Sequence, residues 1–458
     1  MKPAETTHFS SLEMLVILAL ISLQFQPFLT GYYLTADDIL FHYWAMTRPP
    51  VEWFKIGWET VLWKAKLGEF LSIPTMILGN LHIDALWMRI LNLLIFVSSF
   101  VVLSFYLSTV FGRRLAVLAL IAIVALSPLR FFHMTPTSFP LFLSLQFIVG
   151  IISLMALRRS GNGRRIAFAV LFLALISSEY TLFFIGALTV FDAIQIIRRR
   201  STISFLSFVA EPRLIAVFLA FATHVIVRNW VGSGDYTAVS GLTNPMDLFS
   251  VQLFHTLNGT ILGSASFDVS LAPKGALEVV RAILVGGLTY YLVCSALGKP
   301  GLNRGNFITF FAFCVFVIFC ITFPIALLEK YRIWCSSPAV CVYLDSRYAG
   351  WFLAIFLGGC LAFVRQSRVT RICSATAFAL LAVITSLHNG TVSQAMVAAR
   401  APWVSAEIAL CQGNISWNTF LDTEYATNIP FHITENRSRN DYWKAWADTQ
   451  PCTLEGTQ

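Results

Sequence analysis

Arg113-Arg114-Leu-Ala-Val-Leu-Ala-Leu-Ile-Ala-Ile-Val-Ala-Leu-Ser-Pro-Leu-Arg130 opens an apolar stretch, Leu115 to Leu157, that has basic residues at both ends: Arg113-Arg114 before it, Arg158-Arg159 and Arg164-Arg165 after it. Lys and Arg collect on the cytoplasmic side of membrane spans. A run flanked this way starts and finishes on that side, so it reads as a hairpin of two spans rather than one crossing. Ile166 to Ile197, closed by Arg198-Arg199-Arg200, reads the same way. The two apices, Ser127-Pro-Leu-Arg-Phe-Phe-His-Met-Thr-Pro-Thr137 and Ser177-Ser-Glu-Tyr180, are rich in polar groups.

The same rule orders the rest of the chain. Lys299 with Arg304, and Arg365 with Arg368 and Arg371, make Leu214–Leu297 and Ile308–Val364 hairpins with longer outer loops, the first over residues 232–275. Met14 to Tyr32 is the first span; no small-residue cleavage site precedes Gly31, so it is expected to stay. Counting back from Arg113 puts the N-terminus inside. A last span, Ile372 to about Leu387, leaves the C-terminus outside. The expectation is an all-α polytopic membrane protein of about eleven transmembrane helices, with a membrane domain over 1–388 and an outer tail over 389–458.

Composition agrees. The chain is 57% apolar and 14% aromatic but only 12% charged, where soluble domains carry about a quarter charged residues. The net charge of +8 comes from short clusters between apolar runs. It follows the positive-inside pattern, so the expected partner is the lipid bilayer and not nucleic acid. Under this topology only Glu5, Glu13, Asp192 and Glu211 of the 24 acidic residues fall inside. Chemistry is therefore expected on the outer side.

Directly after the first span stands Tyr33-Leu-Thr-Ala-Asp-Asp-Ile-Leu-Phe-His42. It puts two carboxylates, Asp37 and Asp38, at a membrane surface, where ionisable groups are costly and point to function. Thr35 and Asp37 also suit the cap of a helix beginning near Ile39; both readings can hold at once. His42 follows Asp38 by four residues and shares its face on a continuing helix. Residues 43–70 mix Tyr43, Trp44, Trp53, Phe54, Trp58 and Trp63 with Glu52, Lys55, Glu59, Lys64 and Lys66. That is the make-up of an interfacial helix, either a plain anchor or part of a site.

Further outer residues are candidates to converge on the acidic pair. Arg130 and His133 crown one hairpin and Glu179 another, while Glu329-Lys330-Tyr-Arg332 and Asp345-Ser-Arg347-Tyr348 lie in the last outer loop. The planar fork of arginine suits phosphate. Of the nine cysteines, Cys294, Cys314, Cys320, Cys360 and Cys373 sit in or beside spans. In an oxidising outer compartment Cys335 would pair with Cys341, and Cys411 with Cys452. Neither pair has zinc-site spacing with histidines nearby, so zinc is not expected. Asn258-Gly-Thr, Asn389-Gly-Thr, Asn414-Ile-Ser and Asn436-Arg-Ser would be glycosylation acceptors in a eukaryotic lumen. Walker loops, dinucleotide fingerprints, nucleophile elbows and His-Glu-x-x-His are absent.

The overall plan, with an outer acidic pair right after the first span and an aromatic interfacial helix behind it, resembles the C-type membrane glycosyltransferases (GT-C superfamily). Within that group, size and pattern resemble bacterial O-antigen-modifying (serotype-converting) glycosyltransferases of the inner membrane. The resemblance implies a polyprenyl-phosphate sugar donor, a glycan acceptor such as lipopolysaccharide O-antigen, and an active site facing the periplasm. It also implies inversion at the anomeric carbon with an outer carboxylate as base. A polyprenyl-phosphate sugar synthase and a small flippase would be encoded nearby. Asp37 and Asp38 carry over as the catalytic pair, and Arg347 with Tyr348 as the residues facing the donor phosphate.

The chemistry suits those roles. Asp38, or failing that Asp37, would take the acceptor proton, and the other would orient the acceptor or hold a divalent cation. Arg347, Arg332 or Lys330 would meet the charge of the leaving polyprenyl phosphate. The rivals are an O-antigen polymerase or ligase, which would lean on outer arginines and histidines, and a transporter, which would show repeats and charged or broken helices near mid-membrane.

Overall fold

The computed structural model describes residues 11–31, 36–83, 85–130, 139, 141–158, 163–198, 211–231, 245–263, 275–298, 305–328, 332–333, 335, 341, 343–363, 367–414 and 416, the side chains of residues 36–39, 43, 46, 198, 305–306, 399–400, 402–404, 406–407 and 410 excepted. Among the described residues the chain is helical, with no β-strand. The helices, in chain order, are α1 (Ser11–Phe25), α2 (Pro27–Thr30), α3 (Ala36–Thr47), α4 (Pro50–Lys64), α5 (Glu69–Asn80), α6 (Leu86–Phe111), α7 (Arg113–Leu126) and α8 (Ser144–Ala156). They continue as α9 (Gly163–Ile176), α10 (Glu179–Arg198), α11 (Pro212–Val231), α12 (Pro245–Asn258), α13 (Ala276–Leu297), α14 (Gly305–Ala326), α15 (Leu344–Phe363) and α16 (Arg368–Cys411).

Among the described residues, eight segments are long and apolar enough to cross a membrane: α1 with α2, α6, α10, α11, α13, α14, α15 and the first 31 residues of α16. The other three expected spans are α7, α8 and α9, of 14, 13 and 14 residues. At 1.5 Å per residue each is about 20 Å long, short of the ~30 Å hydrocarbon core. For α7 the reason lies in its surroundings. Every residue of α7 from Arg114 to Leu126 except Val117 is buried, and the helix packs against α6, α15, α13 and α16. A helix that is apolar all round and enclosed by others is held by protein rather than lipid.

Two expectations about ends are refined. The turn at Ser177-Ser178 does separate α9 from α10, which pack together as a hairpin. The last helix does not stop near Leu387: α16 runs unbroken to Cys411, so Asn389 lies inside it. The aromatic segment 43–70 is not one helix either. Pro49-Pro50 ends α3 and starts α4, because proline fits the first helical turn but not the interior. Helix α4 buries Trp53, Gly57 and Val61 along one stripe and exposes Phe54, Trp58, Leu62 and Trp63. Arg48–Glu52 and Lys55–Glu59 form i,i+4 ion pairs alongside.

Candidate functional site

A polar cluster gathers where α7, α12, α15 and α16 meet, starting from the turn after α7. Asn389 of α16 accepts the Leu129 backbone N–H at 2.7 Å and donates to the Ser127 carbonyl at 3.3 Å. His388 Nε2 lies 3.1 Å from the Leu129 carbonyl. Both side chains are fully buried. They fix the polar apex Ser127-Pro128-Leu129-Arg130, which the positive-inside rule placed at a hairpin tip. Asn389 was read as the start of a tail; inside a helix it is a clamp.

Helix α12 approaches from the other side, its following segment tied to α7 by the Ile261 N–H to Leu126 carbonyl bond of 3.0 Å. Here two glycines decide the geometry. A Cβ on Gly259 would fall on the Ser346 carbonyl, and one on Gly350 would fall on the Gly259 backbone. Only backbone-to-backbone contact lets α12 sit on the first turns of α15. That contact brings His255 Nδ1 to 2.7 Å from Asp345 Oδ2, both residues buried. A carboxylate can only accept, so Nδ1 carries the proton and Nε2 is left as a base or ligand. Asp345 Oδ1 is buried without a hydrogen-bond partner. Asp345 lies in the first turn of α15, where the helix dipole favours negative charge.

Two guanidiniums complete the cluster. Arg130 donates to the Asn258 carbonyl at 3.2 Å, and Asn258 donates to the Cys341 carbonyl at 3.0 Å. Arg347 donates to the Pro128 carbonyl at 3.4 Å and stacks on Phe96, 4.8 Å from the ring centroid. It is 2% exposed, its Nη1 has no partner, and among the described residues no carboxylate pairs with it. Arg130 is near enough for the two cations to repel. An uncompensated buried charge costs several kcal/mol, which marks this as a place where an anion would be welcome.

The remaining candidates separate. Asp37 and Asp38 fall in the first turn of α3, and their side chains lie outside the described residues, as do His133, Lys330 and Cys452. His42 is buried with Nδ1 2.9 Å from the Asn80 carbonyl, so it holds α3 on α5. Glu179 pairs with Lys66 at 3.5 Å. Burial pulls the Lys66 ammonium down, but Glu179, Tyr343 and Glu69 outweigh it, and its pKa is raised above the ordinary lysine value. Tyr343, 6.2 Å from Tyr180 ring to ring, joins this pair to the Asp345 cluster. Arg332 is half-buried after Leu328, whose carbonyl accepts its backbone N–H. Tyr348 is core, packed edge-on to Phe147 and Trp351.

Cys335 and Cys341 form the expected disulfide; Cys411 is also disulfide-bonded. Asn258 and Asn389, two of the four Asn-x-Ser/Thr tripeptides, are buried and bonded, so they offer no glycosylation acceptor, whereas Asn414 is exposed. Sequence reasoning missed His255, Asn258, His388 and Asn389 as site residues. No protein-family model, no curated protein and no solved structure matches this chain.

Proposed function

We propose that this chain is a GT-C-type membrane glycosyltransferase that moves a sugar from a polyprenyl-phosphate donor to an acceptor glycan such as lipopolysaccharide O-antigen. The observation that carries this is the buried, unpaired Arg347 beside Arg130. A lipid phosphate is an anion that reaches such a site from the membrane, and arginine can grip it with two parallel hydrogen bonds. The eight long apolar helices support a polytopic membrane protein, and on the proposed reading the shorter α7, α8 and α9 would complete eleven spans. Exposed tryptophans next to ion pairs support α4 as an interfacial helix. The Arg347 end would then face the periplasm of a bacterial inner membrane, with the chain beyond α16 on the same side.

In this mechanism Asp38 or Asp37 takes the proton of the attacking hydroxyl while Arg347 and Arg130 receive the leaving phosphate. The test is sugar transfer by membranes carrying each variant at matched expression. Asp37→Asn or Asp38→Asn should cost about 10²–10⁴ in rate, and Arg347→Lys should also lower it, because lysine keeps the charge but loses the fork. Near-full activity in both aspartate variants reduces the pair to a helix cap.

One observation favours a second reading, an O-antigen polymerase or ligase. Its expected dependence on arginine and histidine suits a cluster of Arg130, Arg347, His388 and the Asp345–His255 pair, which offers a base without α3. Loss of transfer in His255→Gln with both aspartate variants active would favour it.

A further inference from the structure

We propose that Cys335, Cys341 and His255 form a redox-gated site for a borderline-soft divalent metal ion such as zinc, closed as a disulfide when oxidised and open to metal when reduced. The sequence hides it, because His255 stands some eighty residues before the cysteines. The fold removes that distance: an imidazole nitrogen of His255 and both sulfurs lie within 4.8 Å of one another. Tetrahedral zinc, with bonds of about 2.3 Å to sulfur and about 2.0–2.1 Å to nitrogen, asks for donors roughly 3.5–3.8 Å apart. Small shifts of Cys335 and Cys341 would meet that once the sulfurs part.

The surroundings are those of a ligand histidine. Metal-bound imidazoles almost always donate their other N–H to a carboxylate or carbonyl, which fixes the tautomer. His255 Nδ1 already does so to Asp345 Oδ2 at 2.7 Å, which presents Nε2 as the ligand nitrogen. Cys341 is positioned as well, since its carbonyl accepts from Asn258, three residues along α12 from His255. Two thiolates and one imidazole make a three-ligand set that leaves a fourth position for water or substrate. The chemistry balances as two steps. A dithiol or phosphine reductant gives two electrons to the disulfide, yielding two thiols and the oxidised reductant. The thiols then bind the metal dication and release two protons. The metal would sit there whether or not the cluster transfers sugar.

The experiment uses full-length protein in detergent micelles, a phosphine reductant, a count of the freed thiols, and cobalt(II) as probe. The expected result is a thiolate-to-cobalt charge-transfer band with the strong visible absorption of a tetrahedral site. Both should be absent before reduction. They should also be absent from Cys335→Ser/Cys341→Ser, which keeps as a background the five free cysteines Cys294, Cys314, Cys320, Cys360 and Cys373 and the reducible disulfide of Cys411. Asp345→Asn should weaken cobalt affinity about 10–100-fold. Reduced wild type and the double serine variant giving the same spectrum would overturn the site. So would equal binding before reduction, or a pair that cannot be reduced in the folded chain. The comparison of reduced with oxidised wild-type protein needs no variant, so a misfolded mutant leaves the test standing.

Discussion

Two buried clusters of charge lie toward opposite ends of this bundle, and they are built on opposite principles. Toward the end where α11 begins, Asp192 is paired with Arg158 and, at 2.9 Å, with Arg213, which also holds Glu211 at 2.6 Å. Each charge is answered by another from the same chain. At the other, Arg347 is answered by a backbone carbonyl and an aromatic face, while Asp345 spends its charge on a histidine. Self-compensated charge costs the fold little and asks for nothing from outside. Uncompensated buried charge is costly, and persists where a ligand completes it. On the proposed reading the first cluster is structural and the second receives the donor phosphate.

The sharpest break of that contrast is Arg213→Met. Removing one partner of a buried ion pair typically costs about 3–5 kcal/mol, and here it strands Glu211 and half of Asp192's compensation. Denaturant or thermal unfolding in detergent should show that loss, and the added change Glu211→Gln should recover part of it. Unchanged stability would mean that the Asp192 cluster is not compensated as its geometry indicates.

Arg347→Met is the matching change at the other end, with the opposite signature. The folded protein loses a buried cation that no carboxylate among the described residues neutralises, so stability should hold or rise. Transfer should fall about 10²–10³-fold, the usual effect of removing one preorganised donor from developing charge. A variant that unfolds while its remaining folded fraction transfers normally would make Arg347 a structural residue.

The two clusters were unequally legible in the sequence. The ion-paired cluster is spelled out by residues near hairpin ends, where Arg158 closes one hairpin and Arg213 opens a span, and basic runs are the strongest topological signal a membrane chain carries. The binding cluster joins α7, α12, α15 and α16, which are far apart in sequence. Arg130 and Arg347 stood out as arginines in outer loops, but nothing local announces that His255 meets Asp345. Asn389 was hidden by its position, since a polar residue after an apolar run reads as a boundary when it is in fact mid-helix. Helix α7 was visible as an apolar run but not as a short one, because hydropathy sees composition and not the protein neighbours that enclose it. Cys335 and Cys341 were legible because their separation of six residues is local.

The close crossing of α12 over α15 sharpens the comparison at an intermediate scale. Gly350→Ala forces a methyl group onto the Gly259 backbone, where no flexible side chain can move aside. Overpacking of this kind costs about 1–3 kcal/mol, and it should also separate His255 from Asp345. Stability should drop modestly and activity more than stability. Gly287→Ala, which meets open space on α13, is the control and should do little. Equal behaviour of the two variants would show that the crossing does not hold the cluster together.

The smallest effect concerns Lys66 and Glu179, a pair between the two extremes: partly exposed, compensated, and next to the binding cluster through Tyr343. Its Lys66 pKa is raised in the folded protein, because its anionic neighbours outweigh burial. A group whose folded pKa lies above its unfolded value contributes stability that is fully present below the unfolded pKa and lost as pH rises through the folded one. The contribution should therefore be constant at neutral pH and disappear above the ordinary lysine value of about 10.4. With side chains 21% and 32% exposed, the pair should be worth no more than about 1 kcal/mol. Melting temperature followed from neutral to strongly alkaline pH should fall more steeply for wild type than for Glu179→Gln, the curves converging at high pH. A difference that instead grows with alkalinity would have the wrong sign for this pair, and Glu179 would then be sensing another group at the Tyr343 end of the cluster.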